Sequence, residues 1–143
     1  MRNARQVTAF APASIGNVGV GFDMLGLAIA GVGDRVSASP SSRPGVSIAE
    51  VRGLDGEIHP YLSTDATQNT ASIAALALWQ AHGQAHVDGP GVELTIRKGV
   101  PLQSGMGGSA ASAVAAVVAV NALLGTPLAI QDLLPFALRG EAF

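Results

Sequence analysis

The chain has 143 residues and carries 8 Lys and Arg against 10 Asp and Glu, a net charge of −2. That length suits one domain with its own core, and the near-neutral balance supplies neither the basic field that grips nucleic acid nor a polybasic membrane patch. With no Cys, a disulfide framework, a thiolate zinc site and a Cys nucleophile are all excluded, which fits a reducing compartment.

Aromatic residues make up 4% of the chain and Gly contributes 18 positions, so the core is expected to consist of Ala, Val, Leu and Ile with backbones close together. Met1 to Arg5 is basic, but no apolar stretch of signal-peptide length follows it. Val7 to Ala11 reads as a short strand ending at Pro12, followed by a Gly-rich loop from Ser14 to Asp23. Leu25 to Ala30 and Arg35 to Ser39 read as strands flanking a turn at Gly31 to Asp34. Pro40 to Pro44 is a polar loop, Val46 to Val51 a strand, and Gly53 to Ser63 a hairpin or surface excursion. From Asn69 to His82 the pattern is helical, with Ile73, Leu76, Ala77 and Gln80 at three-four spacing, Asn69 as cap and Gly83 as stop. Val92, Leu94 and Ile96 alternate with Glu93, Thr95 and Arg97, the pattern of a half-buried strand. A second Gly-rich loop, Gln103 to Gly108, runs into an apolar helix from Ser109 to Leu124, too short to span a bilayer. A last helix begins near Ile130 and reaches Phe143, so the sequence is expected to be one domain of a longer protein. His59, His82 and His86 show no metal spacing, and Asp34, Asp55 and Asp88, each beside Gly, read as turn residues.

The second loop carries the chemistry. In Pro101-Leu102-Gln103-Ser104-Gly105-Met106-Gly107-Gly108-Ser109-Ala110-Ala111 the glycines allow several backbone N–H groups to face one concavity, and the helix that follows adds unsatisfied donors and a partial positive charge. Such a turn holds phosphate oxygens without a cationic side chain. The only lysine, Lys98, precedes the loop, so the Lys-assisted P-loop pattern is absent. Ser109 could cap the helix or offer its hydroxyl to Mg²⁺ or to a phosphate. Gly105-x-Gly107-x-x-Ala110 also fits the dinucleotide fingerprint, with Asp132 as the ribose acid, but the residues between strand and motif weaken that alternative.

The first loop, Pro12-Ala13-Ser14-Ile15-Gly16-Asn17-Val18-Gly19-Val20-Gly21-Phe22-Asp23-Met24-Leu25-Gly26, closely resembles the amino-terminal signature of homoserine kinases, and the segment from Pro101 to Ser112 resembles the phosphate loop of the wider GHMP kinases, which include galactokinase and mevalonate kinase. One departure is Gly108-Ser109 where that family usually has two successive serines, so only Ser109 inherits a metal or phosphate role. The resemblance implies an α+β fold: the two-layer GHMP-kinase N-terminal domain (ribosomal protein S5 domain 2-like), a mixed sheet with packed helices and a left-handed βαβ crossover, against the usual right-handed rule. It implies that residues 1–143 form the ATP-binding domain of a longer chain. The implied reaction transfers the ATP γ-phosphoryl group to the side-chain hydroxyl of L-homoserine, a step toward threonine, in the cytoplasm. ATP and Mg²⁺ are the implied cofactors. Pro101 to Ala111 would hold the nucleotide phosphates, Asn17 and Asp23 would contact homoserine, and Ser109 and Glu141 would hold Mg²⁺. No general base is assigned. The implied partners are homoserine and ATP, with no nucleic acid or membrane, and a homodimer is left open.

Overall fold

The computed structural model describes residues 5–16, 26–83 and 90–142. Strands β1 (Val7–Gly16), β2 (Gly26–Ser41), β3 (Gly45–Arg52) and β4 (Gly91–Arg97) form one sheet in the order β1-β2-β4-β3. β1 and β4 pair antiparallel to β2, and β3 pairs parallel to β4, so the sheet is mixed. The parallel pair is joined through helix α1 (Thr70–His82), the crossover that parallel neighbours require. Helix α2 (Gly108–Leu123) packs on β1 and β2 beside α1, and α3 (Leu134–Glu141), after a 3₁₀ turn at Ile130–Leu133, lies against both helices. The result is the expected α+β arrangement, with the helices on one face and the other face polar.

The core lies between those layers. Val92, Leu94 and Ile96 are fully buried, as their alternation predicts, and each contributes about 1.5–3 kcal/mol of apolar burial. α2 is apolar nearly all round, with Ala111, Ala113, Ala115, Ala116, Val117, Ala119 and Val120 buried, the pattern of a helix enclosed by its neighbours. Its alanines let it approach sheet and helices closely. Asn121, also buried, exchanges hydrogen bonds with the backbone of Leu128 at 3.0 and 3.2 Å and so ties down the segment leaving α2.

Several expectations are corrected. β1 continues through Pro12 to Gly16, because a register shift between Pro12 and Ala13 absorbs the missing donor on this edge strand. Gly31 to Asp34 is no chain reversal. β2 is one strand of 16 residues; the register steps from Gly33 opposite Pro12 to Ile29 opposite Ala13, so Ala30 to Val32 bulge out, with Gly31 at φ 80°. On α1 the buried face is Ala71, Ser72, Ala74, Ala75, Leu78 and Trp79, whereas Ile73, Leu76 and Ala77 flank it and Gln80 is exposed. Gly83 does end α1, but in the right-handed region; glycine is needed there because a Cβ would come within 2.2 Å of the Trp79 ring.

Ahead of α1, the Asp65 carboxylate accepts from the Thr67 hydroxyl and amide at 2.7 and 2.9 Å. The hydroxyl bond foremost, then the amide, holds its carboxyl below the ordinary value. A depressed folded value adds stability that is present above the ordinary aspartate range and disappears as pH falls through the folded one. Asp65→Asn should therefore flatten the acid limb of a thermal-midpoint-against-pH curve while leaving the neutral limb parallel.

Among the described residues no helix is long and apolar enough to cross a membrane.

Candidate active site

The second Gly-rich loop leaves the end of β4 and turns back into α2. Its path needs left-handed residues at Gln103 (φ 56°), Gly105 (φ 73°) and Gly107 (φ 70°). At Gly107 a side chain is also excluded by space, since a Cβ would stand 2.5 Å from Ser14 Oγ. The Ser14 amide donates to the Met106 carbonyl at 2.8 Å, so the end of β1 fastens the loop from outside. Met106 N donates to Ser104 Oγ at 3.3 Å. Among the described residues the amides of Gly105, Gly107, Gly108, Ser109 and Ala110 donate to no acceptor, and the α2 ladder opens only with Ala111 N to Gly107 O at 2.8 Å. The N-cap, Gly107, brings no side-chain acceptor, and the first turn holds no acidic residue. The macrodipole and its orphan donors are thus left for an anion. Pro101 to Gly105 are exposed, and Met106 to Gly108 are half-buried.

Ser109 does not cap the helix. Its hydroxyl donates instead to Glu141 Oε2 at 3.2 Å, joining the first turn of α2 to the last of α3. These two residues, distant in sequence, are the pair expected to share a cation. A hydroxyl and one carboxylate are hard oxygen donors, as Mg²⁺ prefers, and Mg²⁺ usually completes its shell with water and substrate phosphate rather than protein. Among the described residues no group of three or more His, Cys, Asp or Glu could hold a metal ion, so a cation here would depend on those outside ligands. The residues present fit such a role.

Gly140 sets where Glu141 stands. It is buried, and a Cβ there would meet Thr70 O at 2.5 Å and the Cβ atoms of Ala74 and Ala113 at 3.3 Å. Thr70 Oγ1 in turn donates to Ser109 O at 3.3 Å. Gly140→Ala should displace α3, cost about 1–3 kcal/mol and separate Glu141 from Ser109. A thermal melt reads the first effect and Mg²⁺-dependent nucleotide binding the second.

Behind the loop lies a network that sequence reading missed. Asp34, taken as a turn residue, is fully buried, and Lys98 is 5% exposed. Lys98 Nζ donates to Asp34 Oδ2, to Gly108 O at 2.9 Å and to Ser112 Oγ at 2.9 Å. Ser112 Oγ donates to Asp34 Oδ2 at 2.6 Å. Asp34 Oδ1 accepts from the amides of Gly99 at 2.8 Å and Val100 at 3.1 Å. An ammonium has three protons, and all are committed here. Lys98 therefore braces the first turn of α2 from behind rather than reaching across the loop. The available signal was a solitary lysine at the end of a strand with a buried face, which calls for a buried acid.

Asn69 caps α1 as expected. Its Oδ1 accepts from Ala71 N at 3.0 Å and its Nδ2 donates to Ser63 O at 3.1 Å, so a nucleotide contact would compete with both bonds. A cavity of about 120 Å³ opens between Leu62, Asn69, Thr70, Lys98, Leu102 and Ser109. A mostly apolar groove of about 240 Å³ adjoins it, lined by Leu54, His59, Pro60, Tyr61, Val100 and Leu102. The His59 ring organises that excursion, with Nδ1 accepting from the amides of Tyr61 and Leu62. Asn17 and Asp23, expected to contact the amino-acid substrate, lie outside the described residues, as do His86 and Asp88. The dinucleotide alternative loses its context, because α2 leads into the 3₁₀ turn and α3 rather than to another strand.

Fold and loop together define an α+β domain built around a helix whose N-terminus has no side-chain cap. The family model for the GHMP kinases N terminal domain matches residues 69–143, and the chain belongs to that family. A homoserine kinase from Xanthomonas campestris is 48% identical over 99% of this chain and 41% of its own length. One from Chloroherpeton thalassium is 42% identical over 96% of this chain and 44% of its own. The crystal structure of a homoserine kinase from Cytophaga hutchinsonii superposes with a TM-score of 0.84 at 42% identity, over 99% of this chain and 42% of that one. The chain thus spans about two fifths of the length of the curated relatives it matches.

Proposed function

We propose that this chain is the nucleotide-binding portion of a homoserine kinase, transferring the γ-phosphoryl group of ATP to the side-chain hydroxyl of L-homoserine and yielding O-phospho-L-homoserine on the route to threonine. The observation that carries the reading is the open row of amides at the start of α2 with Ser109 and Glu141 paired beside it, in a chain whose relatives are named for that activity. The amides from Gly105 to Ala110 would receive the triphosphate oxygens, the groove beside Tyr61 and Leu102 would receive the base, and Asn17 and Asp23 would hold the amino-acid end of homoserine. The setting is cytoplasmic and the partners are small molecules.

Phosphoryl transfer passes through a loose transition state, so positioning and charge neutralisation supply most of the rate. The homoserine hydroxyl oxygen bonds to the γ-phosphorus as the bond to the ADP oxygen breaks, and the hydroxyl proton passes to a phosphoryl oxygen or to water. Negative charge grows on the oxygens facing the loop amides, which are fixed by Ser14 and by the Asp34–Lys98 brace and need no rearrangement to receive it. Mg²⁺, held by Ser109, Glu141 and the phosphates, would supply further charge neutralisation when bound. No side chain is assigned as general base, and direct attack by the substrate hydroxyl is the proposed route.

The test is substrate choice. The intact protein with Mg·ATP should phosphorylate L-homoserine in preference to mevalonate and galactose; turnover of either of those with homoserine untouched would place the activity elsewhere in the family. Asp23→Ala should raise KM for homoserine and leave ATP affinity nearly unchanged, whereas equal damage to both would remove Asp23 from the substrate site.

A further inference from the structure

The sheet face turned away from the helices has an ordered arrangement of its own. Across the strands, Phe10 opposes Arg35, Arg35 opposes Arg97, and Arg97 opposes Arg52. The neighbouring row on the same face runs Thr8, Ser37, Thr95, Glu50. Three guanidinium groups therefore stand side by side on adjacent strands, in a chain whose net charge is −2. Like charges directly opposite each other destabilise a sheet, so the row is costly when nothing lies on it.

Two of the three are already fixed. Arg52 donates to Glu50 from Nε at 2.8 Å and Nη2 at 3.0 Å, and to Gly56 O from Nη1 at 2.7 Å. Arg35 lies over the Phe10 ring, 5.0 Å from its centroid. Arg97, between them, forms no ion pair among the described residues. The carboxylates nearby are few. Glu50 is engaged by Arg52. Asp55 and Glu57 stand on the turn after β3, where Asp55 Oδ1 accepts the Glu57 amide at 3.0 Å. Glu93 is two rows from the arginines along β4. The floor between the rows is a depression of about 330 Å³ lined, besides the arginines, by Gln6, Thr8, Ser37, Thr95 and the Glu50 carboxylate that Arg52 neutralises, and the Thr8 and Ser37 hydroxyls are paired at 2.7 Å.

From this grid we infer a second anion site, on the opposite side of the sheet from the Gly105–Ser109 loop, that takes the phosphate group of a small phosphorylated molecule across Arg35 and Arg97. Guanidinium forks match phosphate oxygens in pairs. The volume admits a compound of metabolite size, and the hydroxyl row offers both donors and acceptors to its uncharged part. The site does not depend on the kinase reading, because it shares no residue with the loop.

The test uses the intact protein with inorganic pyrophosphate as probe, at constant ionic strength, with the loop first saturated by a non-hydrolysable Mg·ATP analogue. Backbone amides of Arg35, Thr95 and Arg97 should shift saturably, and the thermal midpoint should rise. Arg97→Gln should weaken that binding about tenfold or more, and its unliganded midpoint should match or exceed that of the parent protein, since a like charge has been removed. Shifts confined to residues 105–110, linear unsaturable shifts, or unchanged affinity in Arg97→Gln would overturn the site. Succinate binding as tightly as pyrophosphate would overturn its assignment to phosphate.

Discussion

Replacing Asp34 with alanine should destabilise the domain by about 3–5 kcal/mol, the usual consequence of leaving one partner of a buried ion pair without the other. The carboxylate is fully buried and accepts from Lys98, Ser112 and the amides of Gly99 and Val100. Its removal strands an ammonium that is 5% exposed together with two backbone donors. For a domain of this size the thermal midpoint should fall by on the order of 10–20 °C. Asp34→Asn keeps an oxygen for Gly99 and Val100 but sets an amide against Lys98, so it should recover only part of the loss. Asp34→Ala combined with Lys98→Met should recover more, because no buried charge then remains. A single Asp34→Ala variant within about 1 kcal/mol of the parent protein would show that the pair is not closed off from water as described. Because Lys98 also holds Gly108 O and Ser112 Oγ, survivors of the substitution should bind nucleotide more weakly through a loosened first turn of α2.

The second large effect is on rate. Glu141→Gln in the intact protein should lower kcat by about 10²–10³-fold, the scale seen when one group facing developing charge is removed, with little change in the thermal midpoint because Glu141 is exposed. Ser109→Ala should act in the same direction. The two side chains are 3.2 Å apart and would share one ion, so the double variant should lose far less than the product of the single losses. Raising Mg²⁺ should restore part of the Ser109→Ala rate. Full additivity, with no response to Mg²⁺, would mean that the two residues do not serve a common cation.

How much of this could be read from the sequence depended on whether the deciding interaction was local. β4 was legible because Val92, Leu94 and Ile96 alternate with polar residues. The turn leading into α2 was legible because the left-handed backbone at Gly105 and Gly107 favours glycine. The bend at Gly31 to Asp34 was misread because a left-handed glycine serves a chain reversal and a bulge equally well; pairing with Pro12 and Ala13 decides between them. On α1 the larger side chains, Ile73 and Leu76, suggested the wrong face. The helix buries Ala71, Ala74 and Ala75 together with Leu78 and Trp79 instead, the alanines allowing α1 to lie close to the alanine-rich α2. Asp34 looked like a turn residue because nothing near it in sequence explains a buried carboxylate; its partner is 64 positions away. Ser109 and Glu141 were each named from motif resemblance, and their adjacency depends on Gly140 letting α3 close onto α1, a packing fact with no local signature.

The central claim is that backbone donors at the start of α2 take the phosphates of ATP. An amide-resolved NMR titration of the intact protein with a non-hydrolysable Mg·ATP analogue tests it most directly. The account predicts the largest shifts at the amides of Gly105, Gly107, Gly108, Ser109 and Ala110, with much smaller ones at Thr95 and Arg97. Saturable nucleotide binding that leaves those five amides unmoved would contradict it.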